Sequence, residues 1–129
     1  MSLNPMRSGD EVLHLYSKWN IGSTGAHTKT PFCVGTGFAS VTRTAAGKYT
    51  VTFARGIPTG PLLDLVLTHW AAADAANMNL RPSVGTFTAE TAAAAATVKY
   101  ESWDNDTTAQ TELASGDQVS ITAVFQKTK

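Results

Sequence analysis

The feature that most restricts this chain is a period of two. In "EVLHLYSKW" (11–19) Leu13, Leu15, Ser17 and Trp19 alternate with Val12, His14, Tyr16 and Lys18. In "KYTVTF" (48–53) Tyr49, Val51 and Phe53 alternate with Lys48, Thr50 and Thr52. In "QVSITAVFQ" (118–126) Val119, Ile121, Ala123 and Phe125 alternate with Gln118, Ser120, Thr122 and Val124. Successive side chains of a strand point to opposite faces, so each stretch buries one face of a sheet. A helix would need apolar residues every three or four positions.

The stretches between fit the same class. "FASVTR" (38–43) pairs with "KYTVTF" as a hairpin closed by "TAAG" (44–47), with Gly47 suited to a left-handed backbone. "NIGSTGAHTKTPFCVGTG" (20–37) is rich in Gly and Thr and predicts a long loop or an irregular edge. "PLLDLVLTHW" (61–70) predicts a central strand with Leu63, Leu65 and Leu67 inward. Leu62, Val66 and Trp70 make its second face apolar too, and a strand apolar on both faces is covered on both. "AAADAANMNLRP" (71–82) predicts one short helical turn ended before Pro82. "SVGTFTA" (83–89) predicts a strand, and the alanine tract from Glu90 a loop or helical turn leading into the strand "TVKYESW". "DNDTTAQTELASGD" (104–117) predicts turns with a short piece of strand at most. The sum is seven to eight short strands without a βαβ repeat, an all-β sandwich or barrel.

At 129 residues the chain suits one domain over 11–129, preceded by a flexible polar arm, 1–10, whose first residues suit a cloning leader. Ten basic residues balance ten acidic ones, without the basic excess of a nucleic-acid binder. Residues 1–60 hold six of the basic and two of the acidic side chains. The asymmetry reads either as scatter on a solvated surface or as complementary faces between protomers. No apolar run approaches the roughly 20 residues of a membrane span, and no signal peptide opens the chain. Cys33 is the only cysteine and reads as a small buried apolar residue.

Catalytic signatures are missing. The sequence has no phosphate-cradling glycine motif and no GxSxG elbow. His14, His27 and His69 lack metal-ligand spacing, and "DND" (104–106) meets Ser115 where a calcium loop needs Glu. Asp64 in an apolar strand is the most unusual residue. A carboxylate there reads as a catalytic acid, as an edge residue facing solvent or as a subunit-contact partner; an acid/base pair with His69 is poor, because residues five apart on a strand point to opposite faces. The chain therefore reads as no enzyme, with no cofactor and no metal. Leu62, Asp64, Val66 and Trp70 form the candidate interface. Trp19 and Trp103, with Asp104 and Asp106, are the candidate glycan contacts under an alternative, receptor-binding reading, to which Trp70 could also contribute.

The run "WNIGSTGAHTKTPFCVGTGFASVTRTAAGKYTVTF" resembles small virion structural proteins of tailed bacteriophages: capsid decoration (cement) proteins and related fibre or spike head domains. The residues that carry the likeness are Gly22, Gly25, Ala26, Gly35, Gly37, Ser40–Thr44, Gly47, Tyr49 and Thr50. The closing "SGDQVSITAVFQ" adds Gly116, Asp117, Val119, Val124 and Phe125. The likeness covers part of the chain and is one of style. It implies a jelly-roll-like β-sandwich, commonly a homotrimer, without enzymatic activity. A decoration protein would be made in the bacterial host cytoplasm and sit on the capsid surface of the virion, bound to the major capsid protein. A fibre or spike head would instead bind a host receptor or glycan. Neither reading involves nucleic acid or membrane.

Overall fold

The structure, a computed structural model, describes residues 12–33, 37–57, 60–72, 78–105 and 109–127. The predicted arm and Asp106 lie outside them. Nine strands occur among the described residues: β1 (Val12–Ile21), β2 (His27–Lys29), β3 (Phe38–Ala45), β4 (Lys48–Phe53), β5 (Leu62–Trp70), β6 (Met78–Thr88), β7 (Thr97–Asp104), β8 (Ala109–Gln110) and β9 (Gln118–Gln126). They form two sheets, β2-β1-β9-β5 and β3-β4-β7-β6, with β8 added beside β7. All pairings are antiparallel. The last strand inserts between β1 and β5, and β7 between β4 and β6. This interleaving is that of a jelly-roll-like sandwich rather than a closed barrel.

The alternating faces fall as the period of two requires. Tyr49, Val51, Phe53, Val98, Tyr100, Val119, Ile121, Ala123 and Phe125 are all fully enclosed. Phe125 packs edge-on against Phe53 of the other sheet, ring centres 5.0 Å apart, and Phe53 meets Phe38 at 5.3 Å. Cys33 is buried, as expected. The threonine face of the hairpin points outward, with Thr42 exposed and Thr50 and Thr52 half-buried.

Four details sharpen the sequence pattern or depart from it. First, β2, three residues long, is the irregular edge within 20–37, and β8, two residues long, is the short piece of strand within 104–117; both are too short to show a period. Second, of the segment read as a helical turn, 73–77 lie outside the described residues and 78–82 are strand; Pro82 is tolerated because β6 is a sheet edge, where a missing N–H costs no ladder bond. Third, the helical content among the described residues is two 3₁₀ turns, Ser23–Gly25 and Pro31–Cys33, within the Gly-rich segment. Fourth, β5 is an edge strand, and a register shift between Leu62 and Asp64 swaps its first faces. One extra residue in a strand reverses every side chain before it. Leu62 therefore enters the core and Leu63 turns out to solvent.

The β3–β4 hairpin turns on Gly47, whose φ is +70°. A Cβ there would meet the Ser102 carbonyl oxygen at 2.9 Å and Gln110 Cγ at 2.8 Å. Gly56 has φ +78° but open space around it. Gly56→Ala should cost about 1 kcal/mol from backbone conformation alone. Gly47→Ala, with the clash added, should cost about 3 kcal/mol. Urea unfolding of the two variants checks the difference.

Candidate functional site

The outer face of the four-stranded sheet carries the largest exposed apolar side chains of its strands. Register places them side by side. Tyr16 lies opposite Thr122, which lies opposite Val66; Asn20 lies opposite Gln118, which lies opposite Trp70. Tyr16 is 45% exposed, Leu63 49%, Val66 48% and Trp70 48%. Single exposed apolar residues are ordinary on a protein surface, whereas a contiguous group marks a binding face.

Ser120, in the middle of β9, organises this face. Trp70 Nε1 donates to its Oγ at 2.7 Å, and the Tyr16 hydroxyl bonds the same oxygen at 3.2 Å. Lys18 Nζ stands 4.5 Å from the centre of the Trp70 ring, a cation–π contact. Gln118 Nε2 donates to Asn20 Oδ1 at 2.7 Å beside it. The rings are thus held in place before any partner arrives, which lowers the entropy cost of binding.

Of the candidate interface residues, Asp64, Val66 and Trp70 share this face, while Leu62 lies beneath it in the core, 7% exposed. Asp64 Oδ1 accepts from the Leu65 amide at 2.9 Å at the bulge. The glycan candidates do not come together. Trp19 is on the inner face of β1, 1% exposed, its Nε1 donating to Ser17 Oγ at 2.7 Å. It is a core residue and no surface contact. Trp103 and Asp104 end β7 in the other sheet, and the Arg81 guanidinium stands 4.5 Å over the Trp103 ring.

Two polar clusters escaped the sequence reading. His69 Nε2 bonds Asp117 Oδ2 at 2.7 Å, and Asp117 Oδ1 accepts from the Ala72 amide at 2.9 Å. Asp117 is 3% exposed, so this carboxylate staples the chain leaving β5 to the turn before β9. His69 also lines a cleft of about 410 Å³ with Leu67, Met78, Asn79 and Leu80. The second cluster joins the sheets through His27, Tyr49, Tyr100 and Glu112. The sequence places His69 48 residues from Asp117 and His27 73 residues from Tyr100, so only the fold brings them together. Asp117 did carry one signal, as an acidic residue just before an alternating strand.

Comparison of the chain with protein-family models, with curated proteins and with solved structures found no match.

Replacing Ser120 with Ala removes the shared partner of Trp70 and Tyr16. The expected cost is about 1–2 kcal/mol, the range for losing two partly exposed hydrogen bonds. Because Trp19 is enclosed, the iodide-quenchable tryptophan emission should rise in Ser120→Ala and the spectrum move to the red.

Proposed function

We propose that the chain is a non-enzymatic structural protein of a phage virion, a capsid decoration protein that self-associates as a homotrimer and stabilises the shell. The carrying observation is the Tyr16–Leu63–Val66–Trp70 band on the outer face of the β1–β9–β5 sheet. A partner surface laid against that band would remove apolar area from water on an already ordered face. Burying it is favourable at about 25 cal/mol per Å².

Two further features support the reading. β5 is a sheet edge, and self-association is one way in which such edges are covered. The hairpin of β3 and β4, with its weakly charged threonine face, and the closing strand β9 carry the likeness to virion decoration proteins. On this reading sheet β2-β1-β9-β5 meets neighbouring copies. The major capsid protein, on the capsid surface, is the second partner.

A receptor- or glycan-binding head domain is the second reading, and one observation favours it. Tyr16 and Trp70 form a pre-positioned aromatic pair flanked by Asn20 and Gln118, side chains suited to sugar hydroxyls. Those residues replace Trp19 and Trp103 as its contacts.

Light scattering on a sizing column separates the readings. The wild-type chain should give three times its 13.6 kDa mass. Val66→Lys, which places a charge in the middle of the band without touching the core, should return the single-chain mass at the same concentration. A wild-type chain that stays at 13.6 kDa over the whole concentration range would overturn the trimer and favour the saccharide-binding reading.

A further inference from the structure

The segment between β1 and the second 3₁₀ turn is fastened to the opposite sheet by one side chain. His27 begins β2, in the four-stranded sheet; its ring lies tilted against Tyr49 of β4, centres 4.7 Å apart, and edge-on to Tyr100 of β7 at 5.9 Å. Its Nδ1 lies 2.9 Å from the Gly25 carbonyl oxygen, which can only accept, so the proton is on Nδ1. Nε2 is then the acceptor, and the Tyr100 hydroxyl donates to it. In the neutral imidazole both bonds are satisfied in this way; a second proton would turn Nε2 from acceptor to donor.

The ionisable groups around His27 are few. Tyr49 and Tyr100 face it from the other sheet, and Glu112 faces it from the loop before β9. Glu112 accepts from the Tyr49 hydroxyl at 3.0 Å and from Arg43 Nε, on β3, at 2.6 Å. Burial pushes the His27 pKa down from 6.5 to about 4, against the opposing pull of the Gly25 carbonyl and the Glu112 carboxylate. A proton on Nε2 would also take away the acceptor of the Tyr100 hydroxyl, which is completely enclosed.

The segment's other ties are short-range: Gly22 N donates to the Ala26 carbonyl at 2.7 Å and Thr28 Oγ1 to the Asn20 carbonyl at 3.4 Å. β2 pairs with β1 at three positions, and Thr28 and Lys29 are exposed. Thr24 is forced to φ +54°, strained for a β-branched residue. Both ends, by contrast, are pinned. Thr30 Oγ1 and Cys33 Sγ donate to the Lys18 carbonyl at 2.6 and 3.0 Å. Ile21 exchanges backbone bonds with Gly116 and Asp117 at 2.8 and 2.9 Å.

We propose that residues 22–29 are an acid-opened strap, latched by neutral His27 to Tyr100 and released when that imidazole takes up a proton. Release uncovers Tyr49, Tyr100 and Glu112 and frees the edge of β1 at Trp19–Ile21 for pairing with another strand. The sign follows from the lowered pKa. The open strap binds the proton more tightly than the closed one, so closure is fully favoured above about pH 6.5 and weakens as pH falls towards 4. Between pH 7.5 and pH 5 the opening equilibrium should rise roughly 30-fold.

Hydrogen exchange read by mass spectrometry, corrected for intrinsic rates, tests this on the full chain. At pH 5 the amides of 22–29 should lose protection roughly 30-fold while those of β9 keep theirs. In His27→Gln, whose amide can still bridge Gly25 and Tyr100 but does not titrate, strap protection should no longer depend on pH. His69→Gln should leave the strap's pH dependence as in wild type. Strap protection that ignores pH in wild type, or that falls equally along the whole chain, would overturn the proposal. So would an undiminished pH dependence in His27→Gln. Titration of the wild-type His27 Cε1 proton by NMR gives an independent check. A midpoint near 4 agrees with the latch, and one at 6.5 contradicts it.

Discussion

The pairing of β9 on both of its edges is the interaction on which the rest depends. It is matched to β1 from Val12↔Gln126 to Asn20↔Gln118, and to β5 from Leu62↔Phe125 to Trp70↔Gln118. Without it the four-stranded sheet would be a three-residue strand beside β1 and an isolated β5. Its register also decides which chemistry faces which way. Val119, Ile121, Ala123 and Phe125 fill the inner face, while Ser120 and Thr122 stand between Tyr16, Val66 and Trp70 on the outer one. A one-residue slip would put Ser120 against Phe53's neighbours and leave Trp70 without a partner. Because β9 pairs with both β1 and β5, the sheet that carries the candidate site closes only when this strand is in place.

The two sheets are held together by different means at different places. In the middle the tie is aromatic and apolar, Phe125 on Phe53 and Phe87, and Trp19 on Phe38. Towards β2 it is polar, with His27 and Glu112 reaching Tyr49 and Tyr100. A packed apolar contact is indifferent to pH over the physiological range, whereas a buried imidazole is not. The fold thus joins a fixed centre to a margin that responds to protons. The outer band and the latch use different side chains, although Thr28 of β2 lies in register with Asn20 and, through Gln118, with Trp70.

The sequence allowed much of the fold to be read, because β1, β4, β7 and β9 obey a strict alternation and the Gly47 turn needs a left-handed residue. Legibility failed where geometry departs from the period. The bulge at Leu62–Asp64 reversed the start of β5, so Leu62 was placed outside and Leu63 inside. The second half of β6 was read as strand, but 78–82 was grouped with a helical turn because Ala-rich composition precedes it, whereas its strand character comes from pairing with β7. Of the candidate site, Val66 and Trp70 were visible as the second apolar face of β5. Tyr16 and Ser120 were visible only as outward members of their own strands. That they meet is a consequence of strand order, which local periodicity does not encode. The same is true of His69 with Asp117 and of His27 with Tyr100.

On the proposed reading, the outer face of β1–β9–β5 is where this protein meets copies of itself. Hydroxyl-radical footprinting of the chain, dilute and concentrated, reads that face residue by residue. Oxidation of Tyr16, Leu63 and Trp70 should be rapid in dilute solution and strongly reduced at high concentration, with Phe32, exposed elsewhere, reacting equally in both. Protection that fell instead on the threonine face of β3 and β4, or no protection at all, would contradict the account.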